Sequence, residues 1–145
     1  MQDLPHHYHV SAEAEAEGNI ALKADNLPQL VTAPPAEFGG PGDQWSPETL
    51  LVGAVADCFI LTFRAISRAS KLEWTGLECS AEGLLERVER VTRFTRFTVR
   101  ATLTVPAGTD IEKARRLLEK SEEACLITRS MLAESHLEAQ ISVAD

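Results

Sequence analysis

The feature that most constrains the fold is an apolar stretch, from Leu50 to Phe63, that directly follows a strong helix start. Ser46 is a favoured N-cap, Pro47 suits the first helical position because the N–H it lacks has no partner there, and Glu48 lies beside the positive end of the helix dipole. These signals predict a helix that extends to about Ser70. Because it is apolar on nearly every face, we expect it to be covered on all sides, as the central element of a core.

The same stretch is too short to cross a membrane. It has fourteen residues and includes Asp57 and Thr62, whereas a transmembrane helix needs about 20 apolar residues. The first nine residues lack a basic region followed by an apolar one, so no secretory signal is predicted. We therefore expect a cytoplasmic protein with no membrane partner.

Length and charge narrow the class further. The chain has 145 residues, enough for one domain with its own core, so residues 1–145 are predicted to form a single domain. Its formal net charge of −8 disfavours binding to nucleic acid. The first 63 residues carry this excess, with nine acidic residues against Lys23 alone. We expect this segment either to be a solvated acidic face or to complement a basic surface of another subunit.

Periodic patterns predict both strands and helices. Residues 7–31 alternate loosely and predict an antiparallel hairpin, whereas residues 33–45, with three prolines and three glycines, predict a loop. Thr109 and Glu112 match a capping box at the start of a second helix. Residues 86–96 fit either a continued hairpin or a helical turn. The remaining predictions are strands at 77–85, 97–105 and 136–143 and helices at 46–70 and 109–124.

The three cysteines, Cys58, Cys79 and Cys125, are widely spaced. No pair forms a CxxC motif and no histidine lies at metal-ligand spacing from any of them, so a zinc ribbon or a thioredoxin-type motif is excluded. A cysteine within an apolar helix, such as Cys58, is by itself usually an inert hydrophobic residue. Cys79 is predicted to be a buried strand residue without a chemical role.

Three early histidines, His6, His7 and His9, could ligate a metal ion. Only His7 and His9 share a face in a strand, however, and no acidic or cysteine ligand follows at a typical spacing. We expect a solvated terminal strand and no metal site.

Four features occur together: Phe38-Gly-Gly, Ser46-Pro-Glu, Cys58 within its helix, and Cys125 after an amphipathic helix. Their combination resembles the osmotically inducible protein C (OsmC) and organic hydroperoxide resistance (Ohr) family, from about Pro34 to Val143. The resemblance implies an OsmC-like α+β fold. In that fold antiparallel sheets wrap around long buried central helices, and two chains interlock into a homodimer.

The resemblance also implies a reaction, the thiol-dependent reduction of organic hydroperoxides. Cys58 matches the peroxidatic cysteine, Cys125 the resolving cysteine, and Glu48 the carboxylate that organises the site. A thiolate attacks the peroxide and becomes a sulfenic acid, which condenses with the second thiol to a disulfide that an external dithiol reduces. Because the peroxide supplies the oxidising power, no metal or haem cofactor is expected.

Glu48 and Cys58 are ten residues apart, which is about 15 Å along one continuous helix. If both serve one site, either the helix breaks between them or a second chain supplies one of them. We expect the second chain, because the apolar helix also needs more cover than one domain of this size easily provides.

The sequence departs from the family pattern at two places. Family peroxidases carry an arginine in an N-terminal Gly-Gly-Arg-like turn, where it stabilises the thiolate, whereas this chain has Glu17-Gly18-Asn19 and no arginine in its first 63 residues. The late cysteine is commonly followed by proline, whereas Leu126 follows it here. We expect Lys23, an early histidine or Arg129 to replace the arginine in part, leaving a slower peroxidase.

Two interpretations stay open at the sequence level. Phe38 and Trp45 flank the glycine-rich loop and either line an apolar pocket for an alkyl hydroperoxide or anchor the loop to the core. The missing arginine also favours an alternative function, in which an OsmC-like protein binds an apolar small molecule without peroxidase activity and its cysteines serve only in packing.

Overall fold

The computed structural model describes all residues from Met1 to Asp145 and has an α+β architecture. Its Cα positions group into two compact units, Met1–Leu50 and Leu51–Asp145, and the single domain expected from the sequence stays a prediction. In chain order the elements are β1 (Ser11–Glu13), β2 (Ile20–Lys23), β3 (Leu30–Thr32), α1 (Pro47–Ala69), β4 (Gly76–Val88), β5 (Val91–Val105), α2 (Ile111–Ala124), α3 (Leu126–Arg129) and β6 (Glu134–Val143), with a short 3₁₀ turn at Ala36–Phe38.

The first unit contains a small antiparallel sheet in the order β1-β2-β3. The predicted hairpin is confirmed as β1 and β2, and Gly18 adopts a φ of 95° in the turn between them. The predicted loop follows β3 and contains only the 3₁₀ turn. It closes on the sheet where the Ala33 N–H donates to the Trp45 carbonyl at 2.9 Å.

Helix α1 begins and ends close to where the sequence predicts. The Thr49 N–H donates to the Ser46 hydroxyl at 3.1 Å, which confirms Ser46 as the cap. Within the chain, however, one stripe of α1 is buried, and Leu61 on another face is 53% exposed. The buried stripe has a spacing of four residues: Val55, Phe59, Phe63 and Ser67.

At 23 residues, α1 is longer than the apolar run considered in the sequence. Length and composition alone would allow α1 to cross a membrane, and core helices of soluble proteins meet the same two criteria. The absence of a membrane segment therefore stays a prediction.

The second unit contains a three-stranded sheet in the order β4-β5-β6. β4 and β5 form one long antiparallel hairpin with its turn at Glu89 and Arg90, both of positive φ. Residues 86–96 therefore continue the hairpin. β6 pairs with β5 in parallel, unlike the antiparallel sheets expected, because α2 and α3 carry the chain back across the sheet before β6 begins.

The core of the second unit lies between α1, α2 and one face of this sheet. The alternation predicted for β5 is confirmed, since its odd-numbered residues from Phe97 to Val105 are buried. The predicted capping box at Thr109 is displaced by one residue, because the Asp110 carboxylate caps α2 by accepting from the Lys113 N–H at 3.1 Å. Helices α1 and α2 contribute Phe59, Phe63, Leu117 and Leu118 to this core.

Candidate functional site

The fold brings two cysteines together that are far apart in the sequence. Cys58 lies at the middle of α1 and is half-buried, whereas Cys125 lies at the junction of α2 and α3 and is 2% exposed. Each thiol shifts the pKa of the other, so the two side chains lie near one another.

The surroundings of Cys58 favour a thiolate. Burial raises its pKa, but hydrogen bonds from the Ile127 N–H, the Cys125 thiol, the Thr62 hydroxyl and the Leu126 N–H together hold the pKa below its ordinary value. The Thr62 Oγ1 atom lies 3.8 Å from the Cys58 sulfur. The two N–H groups belong to the first turn of α3, where a helix offers no internal acceptor.

The surroundings of Cys125 favour its protonated form. Burial raises the pKa of this thiol and is the largest cause. Hydrogen bonds from the backbone N–H and side chain of Thr128 lower the pKa, and the interaction with Cys58 raises it, so that the pKa lies above its ordinary value. The surroundings therefore favour the thiolate more strongly at Cys58, the less buried residue, than at Cys125. A lower pKa at Cys58 than at Cys125 suits a reaction in which Cys58 attacks a substrate first and Cys125 then attacks the oxidised Cys58.

Arg129 is not among the groups that shift the pKa of Cys58. Its guanidinium donates to the Glu123 carbonyl at 3.1 Å, and Lys23 forms an ion pair with Glu13 in the β1–β2 hairpin. The partial substitution by Lys23, an early histidine or Arg129 stays a prediction. Neutral hydrogen-bond donors surround the thiol.

Two of these donors, the Thr62 hydroxyl and the Leu126 N–H, could have been predicted from the sequence. Thr62 follows Cys58 by four residues and so falls on the same helical face. The absence of proline after Cys125 leaves Leu126 with an N–H group that proline would lack. The contribution of Ile127 had no comparable signal, because α3 itself is not predicted from the sequence.

Glu48 lies in the first turn of α1, and its Oε1 atom is inaccessible to solvent and has no hydrogen-bond partner. Because α1 is continuous, Glu48 and Cys58 are separated by about 15 Å along the helix axis. A break of the helix between them is therefore ruled out. The chain does not bring this carboxylate to its own Cys58.

The remaining candidates are exposed or half-buried. Phe38 and Trp45 are exposed side chains of the first unit. Cys79 is half-buried on β4, and burial together with the negative charge on Cys125 raises its pKa to about 11. The three early histidines are exposed, and no group of three or more histidine, cysteine or acidic side chains lies close enough to hold a metal ion.

Comparison with known proteins identifies similar chains. The family model described as OsmC-like protein matches residues 40–140. A curated relative, "Uncharacterized protein YmaD" of Bacillus subtilis (strain 168), is 27% identical over 143 residues, which are 95% of each chain.

Two solved structures resemble the fold of this chain. An OsmC-like protein of unknown function from Vibrio cholerae has a TM-score of 0.83 at 16% identity, covering 93% of this chain and 99% of the other. An organic hydroperoxide resistance protein OsmC from Legionella pneumophila has a TM-score of 0.75 at 21% identity, covering 97% and 99% respectively. At these identities the likeness concerns the fold.

Proposed function

The chain belongs to the family of OsmC-like proteins, and from that premise we propose that it is a thiol-dependent peroxidase that reduces organic hydroperoxides. The observation that carries the proposal is the pairing of Cys58 with Cys125, in which one thiol is held toward the thiolate and the other toward the protonated form. Names of structural neighbours, such as the organic hydroperoxide resistance protein OhrB of Bacillus subtilis, support the same reaction class.

The cycle begins with the Cys58 thiolate. It attacks the distal oxygen of the hydroperoxide, the O–O bond breaks, and the alkoxide leaves and takes up a proton as an alcohol. Cys58 is then a sulfenic acid. Cys125 attacks its sulfur, the S–S bond forms, and the sulfenic oxygen leaves as water. An external dithiol reduces the disulfide by thiol exchange, so no further cofactor takes part.

The proposed enzyme is a homodimer in the reducing cytoplasm. A helix as apolar as α1, with Leu61 largely exposed in the single chain, is stabilised when a second copy covers it. A second copy would also supply the Glu48 carboxylate, which this chain cannot bring to its own Cys58.

Stopped-flow measurement of peroxide consumption with a dithiol reductant tests this function. Cumene hydroperoxide is expected to be consumed faster than hydrogen peroxide. Cys58→Ser is expected to lower the rate by at least roughly 10³-fold, because a serine hydroxyl does not ionise near neutral pH. Cys79→Ser is the matched control and should retain the wild-type rate. Absence of turnover in the wild type would reject the proposal and favour the binding of an apolar ligand.

A further inference from the structure

The hydroxyl of Thr62 has an unusual partner for its position in a helix. Serine and threonine hydroxyls within helices commonly donate to the carbonyl three or four residues earlier. The Thr62 hydroxyl instead has the Cys58 sulfur as its single partner, at 3.8 Å. Three helical hydroxyls of the second unit follow the common pattern: Ser67, Ser121 and Thr128.

The direction of this hydrogen bond follows from chemistry. A thiolate has no proton, so in the reactive form of the site the Thr62 O–H must be the donor and the Cys58 sulfur the acceptor. The side chain of Thr62 is β-branched, and its χ1 angle is therefore restricted within the helix. A donor of this kind holds its geometry without the entropy cost of a long cationic side chain.

We propose that Thr62 is a positioning residue, whose hydroxyl donates to the Cys58 thiolate and holds its sulfur in place for attack on the peroxide. This inference rests on the proposed function. It identifies a side chain that stabilises the Cys58 thiolate, which an arginine does in the family peroxidases. The Cys125 thiol also lowers the pKa of Cys58, but it is consumed in the disulfide. Thr62 is the side-chain donor that remains unchanged throughout the cycle.

The test is the pH dependence of Cys58 alkylation by iodoacetamide, followed by mass spectrometry of the Cys58 peptide. Thr62→Val keeps the shape and removes the donor. It is expected to slow alkylation by roughly three- to tenfold at pH values below the pKa of Cys58, because less thiolate is present. Above that pKa the rate should be equal or higher, because a more basic thiolate is more nucleophilic.

Two further variants separate the hydroxyl from packing. Thr62→Ser restores the donor and is expected to return the rate to within about twofold of the wild type. Ser121→Ala removes a helical hydroxyl that donates to the Leu117 carbonyl and should leave the profile unchanged. Circular dichroism checks folding, and Thr62→Ala replaces Thr62→Val should the latter not fold.

The outcomes distinguish this inference from the proposed function. An unchanged profile in Thr62→Val, an equal loss of rate at every pH, or failure of Thr62→Ser to recover would overturn the role of Thr62, even if the wild type is a peroxidase. The expected pH dependence in a protein that consumes no hydroperoxide would uphold the contact between Thr62 and the thiolate and reject the peroxidase.

Discussion

At the scale of single residues, the cysteines differ in chemistry because their surroundings differ. Burial raises the pKa of all three thiols, and only at Cys58 do the hydrogen bonds outweigh it. Cys58 is also less buried than Cys125. Reactivity is therefore assigned by local donors and exposure, and not by the presence of a thiol.

This difference predicts which disulfide forms. With a pKa of about 11, Cys79 is about 0.03% thiolate at pH 7.5, too little to compete. One equivalent of hydroperoxide is therefore expected to join Cys58 to Cys125 within one chain and to leave Cys79 reduced. Peptide mapping under non-reducing conditions checks this outcome. A bridge that includes Cys79, or no bridge, would contradict the proposed cycle.

At the scale of elements, the short helix α3 contributes two of the hydrogen-bond donors that lower the pKa of Cys58. Cys125 precedes it in an extended conformation, with φ −61° and ψ 111°. This conformation is the one that a residue before proline adopts, and proline is tolerated at the first position of a helix. The site can therefore lose the Leu126 N–H without a change in backbone conformation.

We therefore expect Leu126→Pro to fold and to raise the pKa of Cys58, because one donor to the thiolate is lost. The loss of one hydrogen bond, about 0.5–1.5 kcal/mol, corresponds to roughly two- to tenfold slower alkylation below the pKa. Leu126→Ala keeps the N–H and serves as the control. Equal alkylation profiles for the two variants would show that this N–H has no influence on the thiol.

At the scale of the whole molecule, the proposed dimer depends on α1. Val55, Phe59 and Phe63 are buried within the chain, whereas Leu61 on another face is not. The net charge of −8 opposes association, so a stable dimer requires an apolar interface that outweighs this repulsion. The exposed part of α1 is the surface that we propose for this interface.

Leu61→Glu is therefore expected to weaken the dimer at least about 100-fold, because a carboxylate would be buried without a partner. Sedimentation velocity at micromolar protein concentration measures the change. Leu132→Glu is the matched control, since Leu132 is 93% exposed in the turn before β6. A wild-type monomer at this concentration, or an unaltered dimer in Leu61→Glu, would refute the proposed interface.

The sequence alone determined the features that depend on neighbouring residues. The start of α1 at Ser46, Pro47 and Glu48 follows from capping and dipole interactions within one turn, and the buried face of β5 follows from its period of two residues. The family could also be inferred, because its pattern of glycines and cysteines consists of residue types at characteristic positions along the chain.

Only the tertiary structure decided what surrounds the reactive thiol. The contact between Cys58 and Cys125 depends on how α1, α2 and the sheet pack. The parallel pairing of β6 depends on the path of the chain across that sheet, and the four residues of α3 are too few to produce a helical pattern. The sequence suggests a cation near Cys58 because the charge of a side chain follows directly from its residue type. A backbone N–H is present at every residue except proline, and only packing determines which of them faces the sulfur.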